Sequence, residues 1–416
     1  MKRSVLIFSL VWLFTASCSD RDRINPLDPR NSETNGKITG LTLTAREHQV
    51  TLTWPRLPYA EIDSIHVYRR TELDPFQRIA SLPAFSTLFQ EVHLQYGNQY
   101  SYYITIRVNN YESIPSEIKT VTLGPTYTWL ADENTGYIYR LSHDLQGTVA
   151  RFGTLIFPYL VATNSRERSA WAFSKYSNTL YKIDSNGKLI LSKGDYGPIT
   201  DMVVDSTRSD LWITVERERR VLRLNWNGDE VARTEPFGRP TYLVYDTNRR
   251  YCWIIDKVSK RIFAVSGSAA QRVATDAILI APKDLALNPQ DEELWVADST
   301  RIVKFNYEGR KLNSEVSGFF YLALLDYDTK RQELWAVDLQ KVGQPATLYK
   351  FDRNGQIVFK LDQFGYPYTI AVNKFDGSCL VGDIGKRQLY RVDNQGLKIE
   401  KIGNFRSPYS LSVEYH

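Results

Sequence analysis

The chain has 416 residues, of which 43% are hydrophobic and 13% aromatic, with 26 Tyr against 2 Met. Its 52 Lys and Arg against 47 Asp and Glu leave a net charge of +5, too small for this length to mark a nucleic-acid binder or a protein drawn to acidic membranes. After residue 17 no apolar run is long enough to form a membrane-spanning helix, so a soluble, β-rich body is expected.

Residues 1–17 form a three-part leader. Lys2 and Arg3 make a basic end, Val5 to Phe14 an apolar run, and Thr15, Ala16 and Ser17 a small-residue exit. The run is too short to cross roughly 30 Å of hydrocarbon, so the layout is that of a secretory signal. An ordinary signal needs only small residues at the cut, yet Cys18 follows them directly. The segment resembles a bacterial lipoprotein signal, which implies acyl chains on Cys18, a membrane partner through that lipid, and residence in the bacterial cell envelope. Ser19 rather than Asp in the next position points to the outer membrane. Residues 18–37 are dense in Asp, Arg, Asn and Pro and read as a flexible tether.

From residue 38 to 122, short segments alternate with period two: "LTLTAREHQVTLTWP", "SIHVYRRT" and "NQYSYYITIRVNNYESIPSEIKTVTL". Turns every ten or so residues predict a small antiparallel sandwich. The stretch resembles a fibronectin type III domain, with Trp54 in the place of the core Trp and "YGNQYSYYITI" in that of the tyrosine-bearing strand. His48, His66 and His93 lack metal-ligand spacing and are expected on the surface or at strand ends.

Residues 126–416 repeat. Trp129, Trp171, Trp212, Trp253, Trp295 and Trp335 recur at spacings of 42, 41, 41, 42 and 40, and Leu380 follows 45 residues later. A period in the low forties predicts one four-stranded blade per repeat, hence seven blades. Phrases such as "LWVADSTRIVKF" and "LWITVERERRVLRL" resemble the NHL-type propellers, and the fold expected is all-β. The first repeat lacks its opening strand, whereas the C-terminal "RSPYSLSVEYH" consists of one; it is expected to close the first blade and leave no free sheet edge. Cys252 and Cys379 fall in different repeats and are expected as buried thiols.

Asp132, Asp256, Asp298, Asp338 and Asp383 each stand three residues after an anchor. Such repetition predicts a turn-holding role, because catalysis needs one or two acids in distinct surroundings. Propellers bind ligands over the channel where the innermost strands begin, which gathers Tyr159, Tyr242, Tyr321, Tyr368 and Tyr409 with Asp201, Lys283 and Asp284 at one mouth. No catalytic set, cofactor motif or metal-ligand cluster is recognisable. The expectation is a membrane-anchored lipoprotein that acts as a non-catalytic binding or scaffold protein for a protein, peptide or glycan. The alternative is a metal-dependent hydrolase or lyase of the gluconolactonase-like type, with an ion held by Asp201, Asp284 and a neighbouring Asn.

Overall fold

The computed structural model describes residues 25–273 and 275–416, so the leader and Cys18 lie outside the described residues. The chain divides into two compact units. One takes the residues up to Leu43 with Thr51–Gln90 and Gln99–Thr120, and the other takes Thr44–Val50, Glu91–Asn98 and Val121–His416. No helix occurs among the described residues.

Within residues 38–122 there is a three-stranded sheet of Thr42–Arg46, Gln49–Thr53 and Leu88–Glu91. The same stretch also holds a five-stranded sheet in which Ser64–Thr71 lies antiparallel between Gln77–Pro83 and Gln99–Val108. Trp54 is buried and its indole N–H donates to the Ser86 carbonyl at 2.8 Å. His66 departs from the expected surface position. It is buried within its strand, where Nδ1 meets Glu112 Oε1 at 3.1 Å, because the short strand Tyr111–Glu112 folds back along Gln99–Val108, the strand paired with that of His66.

Among the described residues of the second unit there are seven four-stranded sheets. The first joins Thr126–Asp132, Tyr137–Leu141 and Thr148–Gly153 to the C-terminal strand Pro408–Tyr415, which pairs antiparallel with Thr126–Asp132. The second to seventh open on Pro158–Asn164, Ile199–Asp205, Pro240–Asp246, Pro282–Asn288, Leu322–Asp328 and Pro367–Val372. These inner strands neighbour one another in chain order, and Pro408–Tyr415 lies beside both Pro367–Val372 and Pro158–Asn164, completing the circuit.

Each second strand has both faces covered, so it reads as a continuous apolar run around its anchor. All six Trp anchors are at most 1% exposed. The core is a set of wedges between adjacent sheets: Trp129 packs with Val161 and Ile183, Trp253 with Leu285 and Leu294, and Leu380 with Leu130 and Leu411 across the closing junction. Cys252 and Cys379 sit unpaired inside two such wedges, where burial pushes both thiols far up.

Two kinds of polar clasp join the sheets. Opposite each anchor on the third strand stand Arg140, Lys182, Arg223, Ala264, Lys304, Lys350 and Arg391. Five of these cations reach a carbonyl in the turn of the following sheet: Arg140 to Ser185, Lys182 to Trp226, Arg223 to Gly267, Lys304 to Arg353 and Lys350 to Asn394. Lys304 also stands 3.5 Å from the Trp295 ring centroid, a cation–π contact that offsets part of its desolvation. The receiving turns are tight. Gly187 takes φ +81°, and a Cβ there would lie 2.5 Å from the Arg151 carbonyl oxygen, so a side chain is excluded twice over.

The second clasp joins inner strands. The Leu243 N–H donates to Asp201 Oδ2 at 2.6 Å, Leu325 to Asp284 at 2.8 Å and Val372 to Asp326 at 2.7 Å. Ser410 and Ser412 accept from Val161 and Thr163 in the same way at the first junction. Among the described residues, no such bond joins the inner strands of the second and third sheets or of the fourth and fifth, which meet through apolar packing.

The closing strand carries one buried ion pair. Glu414, fully buried, accepts from Arg140 Nη2 at 2.9 Å and Nε at 3.0 Å, from Trp129 Nε1 at 2.5 Å, and meets His416. Burial alone would raise its carboxyl, but the bonds from His416 and Arg140 outweigh that and hold it below the usual range. A depressed folded-state pKa stabilises above about pH 4.5, the unfolded value, and the contribution is lost as pH falls through the folded value. Glu414→Gln leaves Arg140 buried without its counter-charge and should cost about 3–5 kcal/mol in a urea titration at pH 7. The gap from the parent should narrow toward pH 3; a loss below about 1 kcal/mol at pH 7 would refute the pairing's role. Deleting residues 406–416 removes the whole strand and should abolish a cooperative melting transition, which calorimetry would check.

Candidate functional site

Every inner strand bulges near its start. In the second sheet Pro158 pairs with Ser174 and Leu160 with Phe173, so Tyr159 is the extra residue between them. By the same count the extra residues are Tyr242, Lys283, Ala323, Tyr368 and Tyr409, and in the third sheet the shift spans Thr200 and Asp201. A bulged residue leaves the ladder and is free to aim elsewhere. Tyr242 takes φ +51° and Phe157, just before its strand, φ +60°. A left-handed backbone on an aromatic residue costs on the order of 1–3 kcal/mol and tends to persist where it places a side chain for use.

These side chains surround a cavity of about 740 Å3 that Tyr159, Asp201, Tyr242, Lys283, Asp284, Tyr321, Tyr368 and Tyr409 all line. Tyr321 stands apart from the other tyrosines. It precedes its strand, its backbone N–H donates to Asp338 at 2.7 Å, and it is 38% exposed.

One side of the cavity is aromatic. The Tyr159 and Tyr368 hydroxyls are 3.0 Å apart, and the Tyr368 and Tyr409 rings meet edge to face at 4.7 Å. Phe157 packs on Tyr409 at 5.1 Å. Burial holds the Tyr159, Tyr368 and Tyr409 phenols above their usual range, so at neutral pH they are hydroxyls able to donate and accept.

The opposite side is cationic. Lys257 Nζ lies 4.7 Å from the Tyr242 ring centroid and 3.5 Å from its hydroxyl, and Lys283 Nζ lies 4.7 Å from the Tyr321 ring. Arg239 lines the same wall and pairs with Glu216 at 3.0 Å. Burial lowers the Lys257 ammonium's pKa, and the like charges of Lys283 and Arg239 lower it further.

Asp201 and Asp284 belong to the wall. Besides the bond from the next sheet, each accepts the N–H of its own following residue, Met202 and Leu285, both at 2.8 Å. Burial raises Asp201 to about 6 and Asp284 well above the carboxylate range, with the backbone donors opposing. All four oxygens are thus engaged by amides. Among the described residues, no three His, Cys, Asp or Glu side chains converge as a metal cage. The pair does not fit a divalent cation, which needs carboxylates that are ionised and free to turn toward it.

The acids after the anchors hold the loops that enter the mouth. Asp256 accepts from the N–H of Gly238 and Arg239, Asp298 from Ile280 and Ala281, Asp338 from Phe320 and Tyr321, and Asp383 from Gly365 and Tyr366. Lys257 was missed in the sequence, although a signal was present. It occupies the position four residues after the anchor, filled elsewhere by Glu133, Lys175, Glu216, Ser299, Leu339 and Ile384. That position varies freely after a residue that is Asp in five of the seven repeats, as expected of a rim.

No family model and no curated protein matches the chain. Solved structures do. A protein of unknown function from Desulfotomaculum acetoxidans aligns over 70% of this chain and 99% of its own at 11% identity, with a TM-score of 0.57. A candidate 6-phosphogluconolactonase from Bacteroides uniformis covers 70% and 100% at 12% identity and 0.56. A streptogramin B lyase structure covers 61% and 86% at 16% identity and 0.51. At these identities the likeness speaks to fold alone: the chain is an all-β protein with a propeller-like body.

Proposed function

We propose that the chain is a lipid-anchored protein of the bacterial envelope that binds a ligand at the mouth of a seven-bladed, NHL-type propeller without transforming it. In this reading the seven sheets are the blades, the C-terminal strand is the closing strand, and the region 38–122 is a fibronectin type III-like module. In chain order the 18–37 segment and that module come between Cys18, joined to the membrane, and the propeller. The observation that carries the reading is the division of labour at the cavity. Four tyrosines and Lys283, released by bulges, and Lys257 from the rim face the ligand space, while the two acids that catalysis would use are bound by backbone amides. Amphipathic rings held rigidly suit recognition at low entropic cost.

The anchor is checked by fractionation. Each buried methylene contributes about 0.8 kcal/mol, so a diacylated Cys18 should place the protein wholly with membranes, and Cys18→Ala should release it to the soluble fraction. Retention of Cys18→Ala in the membrane fraction would exclude lipid anchoring there.

The mouth is checked with a panel of peptides and oligosaccharides scored by their shift of the melting temperature. Tyr242→Ala, Tyr368→Ala and Tyr409→Ala combined should fold, yet weaken binding of any hit by on the order of ten-thousandfold, since three hot-spot aromatics at about 2 kcal/mol each total about 6 kcal/mol. Undiminished binding by the folded triple variant would place recognition elsewhere. Turnover of a hit, abolished by Asp201→Asn or Asp284→Asn alone, would replace binding with catalysis.

A further inference from the structure

Cations are distributed unevenly around the mouth: Lys175 Nζ stands 4.5 Å from the Tyr159 ring centroid and Lys374 lines the cavity, while Lys257, Lys283 and Arg239 gather on one wall. Lys257 and Lys283 come from adjacent sheets, the fourth and the fifth, and neither ammonium has a carboxylate at ion-pair distance among the described residues. Each rests instead on a tyrosine ring, a contact that stabilises the charge and leaves its remaining N–H donors free. Arg239 adds a third positive charge, partly answered by Glu216. The acids on the same cavity cannot serve as partners, because Asp201 and Asp284 already accept two amide bonds each. Two half-buried cations facing one cavity repel each other, and that repulsion is relieved when an anion enters.

The aromatic side narrows the class of anion. Tyr159, Tyr368 and Tyr409, backed by Phe157, present tilted ring faces with hydroxyls between them, which suit a ring with an apolar face and hydroxyl edges. A peptide strand would need free backbone amides, yet those entering the mouth are held by Asp256, Asp298, Asp338 and Asp383 and the inner strands are paired. The cavity, about 740 Å3, lies in the range that holds a few sugar units.

Resting on the binding role proposed above, we infer that the ligand is an acidic sugar whose carboxylate or phosphate sits between Lys257 and Lys283 while its ring stacks on the Tyr159–Tyr368–Tyr409 side. Calorimetry with the full-length protein tests this using trigalacturonate against its methyl ester, galactose 6-phosphate against galactose, and hexaglutamate. Galactose 6-phosphate and trigalacturonate tell a phosphate preference from a carboxylate one, and tighter binding of either supports the inference. At least one acidic sugar should bind tenfold or more tightly than its neutral twin, and Lys257→Met with Lys283→Met should erase that difference. Because a double change could disturb folding, Lys257→Gln and Lys283→Gln are measured singly, each expected to lose threefold or more with an unchanged melting temperature. Equal binding of acidic and neutral twins, survival of the preference in folded lysine variants, absence of acidic-sugar binding, or equally tight hexaglutamate would each overturn the inference. Equal binding of twins with loss in the triple Tyr variant would overturn it and leave the binding role standing. Conversion of a bound acidic sugar to product would overturn the non-catalytic role and leave the anion site standing.

Discussion

A four-stranded sheet of this kind cannot stand alone, since both faces of its second strand are apolar, and everything else follows from how one sheet holds the next. Apolar wedges supply the bulk of that hold but little direction. Direction comes from the clasps, in which a buried cation opposite the anchor reaches into the neighbouring turn and an inner-strand carboxylate or hydroxyl takes the neighbouring amide. A charge removed from water is expensive unless its partners are fixed, so each clasp tolerates one placement of the next sheet and penalises the rest. At the closing junction the same logic becomes the Arg140–Glu414 pair.

The clasps also explain the cavity. Carboxylates that might have worked on a ligand are used to hold adjacent inner strands, which leaves chemistry at the mouth to residues that the sheet does not need. These are the bulge residues, outside the ladder, and the rim position four after each anchor. Scaffold residues and cavity-lining residues are thus written at different positions of the same repeat, and where an acid follows the anchor it ties them by fixing the entering loop.

Most of the architecture was legible because burial on both faces forces a regular apolar phrase, and the Trp spacing repeats it. The orphan strand at the C-terminus was legible for the same reason, since a repeat short of one element implies a partner. The site was partly legible: the mouth tyrosines follow from strand starts, but Lys257 hides in a variable turn that no periodicity marks. Asp201 and Asp284 read as free acids because sequence carries no sign of which amide a carboxylate will meet across a junction. Asp326, two residues farther along its strand, went unnoticed although it makes the same bond. His66 was misplaced because alternation within its strand does not reveal that Glu112, 46 residues farther along, folds back to meet it.

The junction between the fourth and fifth sheets has no inner-strand clasp, and Lys257 and Lys283 stand on either side of it. The inner-strand ties around the circuit are therefore uneven, and one junction without such a tie lies beside the cationic wall of the cavity. A group that engaged both lysines would bridge that junction and add a tie at the mouth to the Arg249–Glu292 ion pair that already joins the same two sheets.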